Sequence, residues 1–371
     1  MNAHNHRARN SRLSEQGFVL PYVLVVIAIL AIAGTIAAQR LTKAAAIVTE
    51  LQEFAQAEQI FASAEAAAVY SLLTGNSVQG GYDLSPDSPI LWEFGFMSAD
   101  GKRVLRDDAA SAIPRNIWSG KGELRRYALP GREEQAPPQA VVAYRDASGL
   151  VRLNRSAESV LLPVLEAAGA TRPEARKLVS TLLDYIDPDD NRRLNGAESL
   201  NYRTQNLPPP TNAPLRSYAE LGHVMGWAEA MRTLDMQLVK DLTTLKLGPG
   251  YRPTFSPERL KQLLDAPEDS LIPSQQIDIM QQAQRNVSTP SQFARLVMFV
   301  PRNDGRYQKR VVDIERFLGG IGDPYRRHWV YDSVVLESDL RFYIDPSAIS
   351  QDGPLPLDEL DHVVHASTLR P

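Results

Sequence analysis

The 371-residue chain contains no cysteine. That excludes a disulfide framework, a thiolate metal site and a cysteine nucleophile. No long basic run occurs, and 40 Lys and Arg stand against 44 Asp and Glu. Nucleic acid is therefore not an expected partner. Histidine is sparse, with six in the chain. His4 and His6 precede the first apolar run, and His223 and His328 stand alone. His362 and His365 can share a helix face, but no further ligand motif adjoins them, so they read as a solvated pair. A phosphate-binding glycine loop and a Gly-x-Ser-x-Gly motif are also missing. These absences argue against an enzyme. Proline, by contrast, is frequent (26) and punctuates the chain into many short elements.

The stretch that organises the chain is residues 18–38, FVLPYVLVVIAILAIAGTIAA, which carries no charged side chain. At about 1.5 Å per residue it spans a hydrocarbon core of roughly 30 Å. A charge at its centre would cost about 2.5–3.5 kcal/mol. Arg7, Arg9 and Arg12 precede it and favour a cytoplasmic N-terminus, with everything after Gln39 across the membrane. Three readings fit the segment. One is a cleaved secretory signal, with Ile36-Ala37-Ala38 as its site. Another is a plain single-span anchor. The third turns on Gly17, which stands before the apolar run. A cut after Gly17 removes the basic leader and keeps the apolar helix, starting at Phe18. That arrangement resembles a type IV prepilin leader, processed by a prepilin peptidase that methylates the new amino terminus.

The helix does not stop with the apolar run. Residues 39–73 contain neither Pro nor Gly and are rich in Ala, the strongest helix former. A continuous helix over 21–73 is about 80 Å long, with Pro21 in its first turn, where a missing N–H costs little. Leu41, Ala44, Val48, Leu51, Ala55 and Ala62 follow a 3–4 spacing and predict an amphipathic stem.

After a break at Thr74-Gly75-Asn76, the runs 90–97, 125–129 and 140–144 read as strands between turn signals. From residue 150 the pattern turns helical. Asn154 or Ser156 is the expected cap of a helix carrying Val160, Leu161, Val164 and Leu165, and Gly169 ends it. Thr171 with Glu174 predicts a capping box, and Pro173 fits the first turn of the helix that runs to about Ile186. Ser217 with Glu220 predicts another such start, closed by Gly226. A helix is expected over 228–245, then a Thr254–Leu264 start that echoes 154–165 as a weak internal repeat, then a helix over 275–285. Runs 293–301, 307–314 and 329–336 read as returning strands. The tail, 345–371, is expected to be poorly ordered.

The sharpest chemistry lies at DPDDNRRLNGAE, residues 187–198. Set against the twelve-position EF-hand loop, oxygen ligands fall where calcium needs them: Asp187, Asp189, Asn191, the Arg193 carbonyl, Asn195 and Glu198 at positions 1, 3, 5, 7, 9 and 12. Hard oxygen donors suit Ca²⁺ better than a transition metal. Position 6 is Arg192 rather than Gly, so the turn takes a different path, and no second helix is evident directly after it. The competing interpretation is a polar turn built from good turn formers.

These segments resemble the minor pseudopilin K family of type II secretion. The likeness is carried by Gly17-Phe18 with its apolar run, by Leu153-Asn154-Arg155-Ser156-Ala157-Glu158, by Asp184-Tyr185-Ile186-Asp187-Pro188-Asp189-Asp190 continuing to Gly196-Ala197-Glu198, and by Tyr218-Ala219-Glu220-Leu221 with Gly226. It extends over residues 10–335 and departs from the family at Thr254-Phe255-Ser256-Pro257-Glu258. It implies an α+β pilin-like fold: a long N-terminal helix, half transmembrane and half stem, and a β-sheet head interrupted by a large helical insert. The expected segments are a leader (1–17), membrane helix and stem (18–73), first part of the head (74–149), insert (150–290), returning strands (291–344) and tail (345–371). The resemblance also implies bound calcium and an inner-membrane, single-pass protein with its bulk in the periplasm. Its place would be the tip of the pseudopilus, with minor pseudopilins of the I and J types and the major pseudopilin as partners. Contact with secreted substrate or the outer-membrane channel is a further possibility. Most pilin-like proteins carry Glu at the fifth mature position; here it is Tyr22, in keeping with a first subunit that has no preceding amine to pair. The alternative is an unprocessed, membrane-anchored periplasmic binding or scaffold protein.

Overall fold

The computed structural model describes residues 19–78, 80–84, 90–92, 95–97, 103–104, 116–127, 140–246, 251–264, 289–317 and 323–343. The leader with Gly17 and Phe18, the helix expected over 275–285, His362, His365 and the tail lie outside the described residues. The chain divides into two compact units, Met1–Glu58 and Gln59–Pro371.

Helix α1 (Val19–Thr74) is continuous through the apolar run and the stem. It is long and apolar enough to cross a membrane. Its hydroxyls are satisfied internally: Thr35, Thr42 and Thr49 donate to the carbonyls of Ala31, Ala38 and Ala45 at 2.8, 2.9 and 3.1 Å. An apolar environment would otherwise leave these groups unpaired. Within the second unit, the last turns of α1 bury Phe61, Ala64, Ala68 and Leu72 completely. That face is not the stripe expected from the sequence, because Leu41, Leu51 and Ala62 are exposed. The Arg310 guanidinium stacks 4.5 Å above Phe61, Arg327 pairs with Glu65 at 2.6 Å, and Arg316 donates to the Leu72 carbonyl.

The head begins with short strands. These are β1 (Asn76–Val78), β2 (Gly81–Asp83), β3 (Ile90–Trp92), β4 (Gly95–Met97), β5 (Arg103–Val104) and β6 (Ile117–Ser119). They form two small antiparallel sheets, β1-β2-β6 and β3-β4-β5. The run 90–97 is thus a hairpin, with Ile90 opposite Met97. The main sheet comprises β7 (Lys121–Tyr127), β8 (Ala140–Asp146), β11 (Phe293–Pro301), β12 (Tyr307–Arg316) and β13 (Tyr325–Val335), in the order β13-β12-β11-β8-β7. Strands from both sides of the insert therefore build one sheet, and Ala294 pairs directly with Asp146.

Between them lies the helical insert. It contains β9 (Val151–Arg152), α2 (Glu158–Ala167), α3 (Arg172–Ile186), α4 (Ser199–Thr204), α5 (Trp227–Thr233), α6 (Met236–Leu242), β10 (Thr243–Thr244) and α7 (Glu258–Leu264). Its own core gathers Leu161, Val179, Leu182, Tyr202, Trp227, Val239 and Leu260. The Thr171 capping box forms: the Glu174 carboxylate accepts the Thr171 N–H at 2.9 Å and its hydroxyl at 2.6 Å.

Three expected starts differ. Neither Asn154 nor Ser156 caps α2, whose N-cap is Ala157. The Asn154 amide is instead spent on Leu215 (3.0 and 2.8 Å) and Leu245 (2.9 Å), tying three segments together. Ser217 opens a 3₁₀ turn, Tyr218–His223, and Glu220 turns back to the Arg216 N–H. The helix expected over 228–245 is broken. Asp235 accepts from the N–H groups of Gln237 and Leu238, a cap that starts α6 and so ends α5.

The insert is seated on the sheet by charge. Arg295 of β11 is fully buried. It forks onto Asp313 at 2.7 and 3.1 Å and donates to the Thr243 carbonyl at 2.7 Å. Asp241 of α6 receives Lys309 at 2.6 Å and Tyr343 at 3.2 Å.

A candidate cation-binding loop

The Asp-rich loop hangs from the C-terminal turn of α3. That helix buries Ala175, Leu178, Val179, Leu182 and Tyr185, as its apolar spacing dictates, and Asp184 goes inward with them. Asp184 is completely buried. A buried carboxylate needs donors or an opposite charge, and Arg193 supplies both. Its Nη1 lies 2.7 Å from Asp184 Oδ1, and its backbone N–H reaches both Asp184 oxygens at 3.3 and 3.2 Å. The same Nη1 also bonds to Asp187 Oδ2.

The loop wraps tightly against Asp184. A Cβ at Gly196 would stand 1.9 Å from Asp184 Oδ2, so only glycine fits. The left-handed turn residue is Asn195, with φ +66, three short of Glu198 and three past Arg192, where an EF-hand places its glycine. Helix α4 then starts at Ser199 with Glu198 as its N-cap. The expectation that no second helix follows is therefore corrected. The Asn201 side chain accepts the Glu198 N–H at 3.1 Å, and that local bond starts a turn which the downstream prolines do not prevent.

Glu198 is 4% exposed, and both of its carboxylate oxygens are buried without a hydrogen-bond partner among the described residues, as is Asp187 Oδ1. Burial raises the Glu198 pKa to about 7, and the neighbouring charges of Asp184, Asp187, Asp190 and Asp189 push the same way. The other expected ligands lie on the open side. Asp189, Asn191 and Asn195 are exposed, and Asp189 Oδ1 accepts the Asn191 N–H at 2.8 Å. The Arg193 carbonyl, expected at position 7, accepts the Gly196 N–H at 3.0 Å. Among the described residues, no three His, Asp or Glu side chains are gathered as a metal ligand set. The donors nevertheless fit a hard divalent cation: all are oxygens, and three buried carboxylate oxygens lack the partner that burial demands. Asp184 is the residue that spacing alone did not single out. Its signal was a carboxylate on the apolar side of an amphipathic helix. Tyr22 is exposed on α1.

Residues 139–238 match the family model for type II secretion system protein K. No curated protein sequence is significantly similar to the chain. Among solved structures, a chain in the crystal structure of the GspK-GspI-GspJ complex from the enterotoxigenic Escherichia coli type 2 secretion system is 18% identical, with 77% of this chain and 98% of that chain covered. Its TM-score is 0.35, too low to establish a shared overall arrangement. The family match covers β8, the first helices of the insert and the Asp-rich loop, which hold three of the four motif segments that resemble pseudopilin K. Across residues 139–238 the chain is similar to protein K of the type II secretion system.

Proposed function

We propose that this chain is a non-enzymatic minor pseudopilin of a type II secretion system, seated at the pseudopilus tip and initiating its assembly for export across the outer membrane. The observation that carries the reading is the coincidence of the family match with a helical insert set into an antiparallel sheet, behind a continuous helix with an apolar first half. A prepilin peptidase cuts after Gly17 and methylates Phe18. The apolar half of α1 then lies in the inner membrane with the head in the periplasm. Minor pseudopilins of the I and J types are the partners expected to share the tip. A bulky insert is hard to repeat along a fibre and is tolerated at its end. In the same reading the loop 187–198 holds calcium through Asp187, Asp189, Asn191, the Arg193 carbonyl, Asn195 and Glu198. The ion would supply the positive charge that buried Glu198 lacks, as structural support.

The deciding experiment is mass spectrometry of the amino terminus of the membrane-extracted protein, produced with and without a prepilin peptidase. A peptidase-dependent start at N-methylated Phe18 is expected, followed by co-purification with I- and J-type pseudopilins. An intact leader removes the pseudopilin reading, and a start near Gln39 marks an ordinary secreted protein.

A further inference from the structure

The Arg193 guanidinium bridges Asp184 and Asp187 through one nitrogen, while Asp187 Oδ1 and both Glu198 oxygens are buried without a partner among the described residues. Asp187 is therefore shared between an internal cation and the side on which an external one would bind. A divalent ion bound to Asp187 would lie close to that guanidinium, and like charges at a partly buried site repel. The two partners of this ion pair differ in their freedom. The Asp184 side chain is fully buried and cannot leave, whereas the Arg193 side chain is 40% exposed and has water beside it. Residues 188–195 around it are exposed as well, so the arginine can swing out without unpacking a core.

Resting on the calcium reading above, we propose that Arg193 is an internal counter-ion which neutralises the loop in its cation-free state and competes with Ca²⁺ for Asp187. The side chain then sets the calcium concentration at which the loop changes state, a role separate from the ligand assigned to its carbonyl. Arginine suits the task because it cannot lose its charge. Glu198, which Arg193 does not touch, is what still draws the ion in.

The test uses the full-length chain in detergent micelles, titrated with CaCl₂ by calorimetry and melted with and without CaCl₂. Replacing Arg193→Met removes the charge and keeps much of the stem. Its dissociation constant for Ca²⁺ should fall at least about tenfold, the scale of one charged hydrogen bond. Its cation-free melting temperature should drop below that of the unmodified chain, and its rise on adding CaCl₂ should be larger. Arg193→Gln keeps a donor without the charge and serves if circular dichroism shows the Met variant unfolded. Equal or weaker binding by the neutral variants overturns the competition while leaving the calcium reading intact. Absence of binding in the unmodified chain and both neutral variants removes the calcium reading and this proposal with it. Binding that appears only when Arg193 is neutral supports competition in its strongest form. Glu198→Gln should abolish binding in either background.

Discussion

Ser291 donates its hydroxyl to Asp146 Oδ1 at 2.8 Å, joining residues 145 positions apart across the neck of the helical insert. Asp146 is completely buried and also takes the Ser148 N–H at 2.8 Å and the Ser148 hydroxyl at 2.6 Å. One carboxylate thus holds both the departing and the returning chain, at the register point where Ala294 pairs with it. The sheet can be interrupted by the long insert because its two ends are pinned together there.

Asp146→Ala should therefore cost about 1–3 kcal/mol for each donor it strands, well above the effect of Ser291→Ala alone. Urea unfolding gives the size. Limited proteolysis should show the insert becoming susceptible at residues 147–150 and 289–292 before the sheet. Wild-type stability and an unchanged cleavage pattern in Asp146→Ala would remove the clasp.

Gly196→Ala should destabilise the loop by about 1–3 kcal/mol, because a Cβ would overlap Asp184 Oδ2 at 1.9 Å and that carboxylate is fixed in a packed helix. Thermal unfolding of Gly196→Ala beside Gly222→Ala is the comparison. An added Cβ at Gly222 meets nothing nearer than Met231 Sδ at 4.0 Å, so equal effects at the two sites would contradict the packing described.

Arg295→Met should cost about 3–5 kcal/mol, since it leaves Asp313 with a buried, uncompensated charge. The double variant Arg295→Met with Asp313→Leu should recover much of that loss, because both charges then go together. Denaturant titration of the set measures it, and a double variant no better than the single would refute the pairing energetics.

Glu198 gives a pH prediction with a definite sign. Its folded-state pKa is about 7 against an ordinary value of 4.5. The folded chain therefore binds the extra proton between those values, and metal-free stability falls as pH rises through that window, then levels off. Glu198→Gln should flatten this part of the profile, and saturating calcium should do the same in the unmodified chain by supplying the missing charge. A metal-free stability that instead climbs from pH 4.5 to 7, with Glu198→Gln unchanged from wild type, would show that the carboxylate is not buried as described.

Much of the architecture was legible because its determinants are local. The absence of charge over 18–38 and the run of Ala without Pro or Gly dictate α1. The Thr171–Glu174 spacing dictates its capping box, and the turn signals around residues 303–305 mark the hairpin between β11 and β12. These signals act within about four residues along the chain, and a sequence displays them directly. The spacing of Asp187, Asp189, Asn191, Asn195 and Glu198 was equally plain as a list of oxygen donors.

What the sequence left open depends on which distant groups meet. Periodicity placed an apolar stripe on the stem, but the head selects a neighbouring face through Phe61 and Leu72, because Arg310 and Arg316 reach it from β12. Spacing could not tell that Asp184 is buried rather than solvated, nor that Arg193 lends its side chain to Asp184 and Asp187 while its carbonyl turns to Gly196. Nor could it show Asp146 and Ser291 meeting across the insert. Burial and desolvation belong to the packed chain as a whole. The sequence by itself determined the helix, the strand-bearing segments and the donor chemistry of the loop. Only the tertiary structure decided which carboxylates are paired and which, at Glu198, are buried without a partner among the described residues.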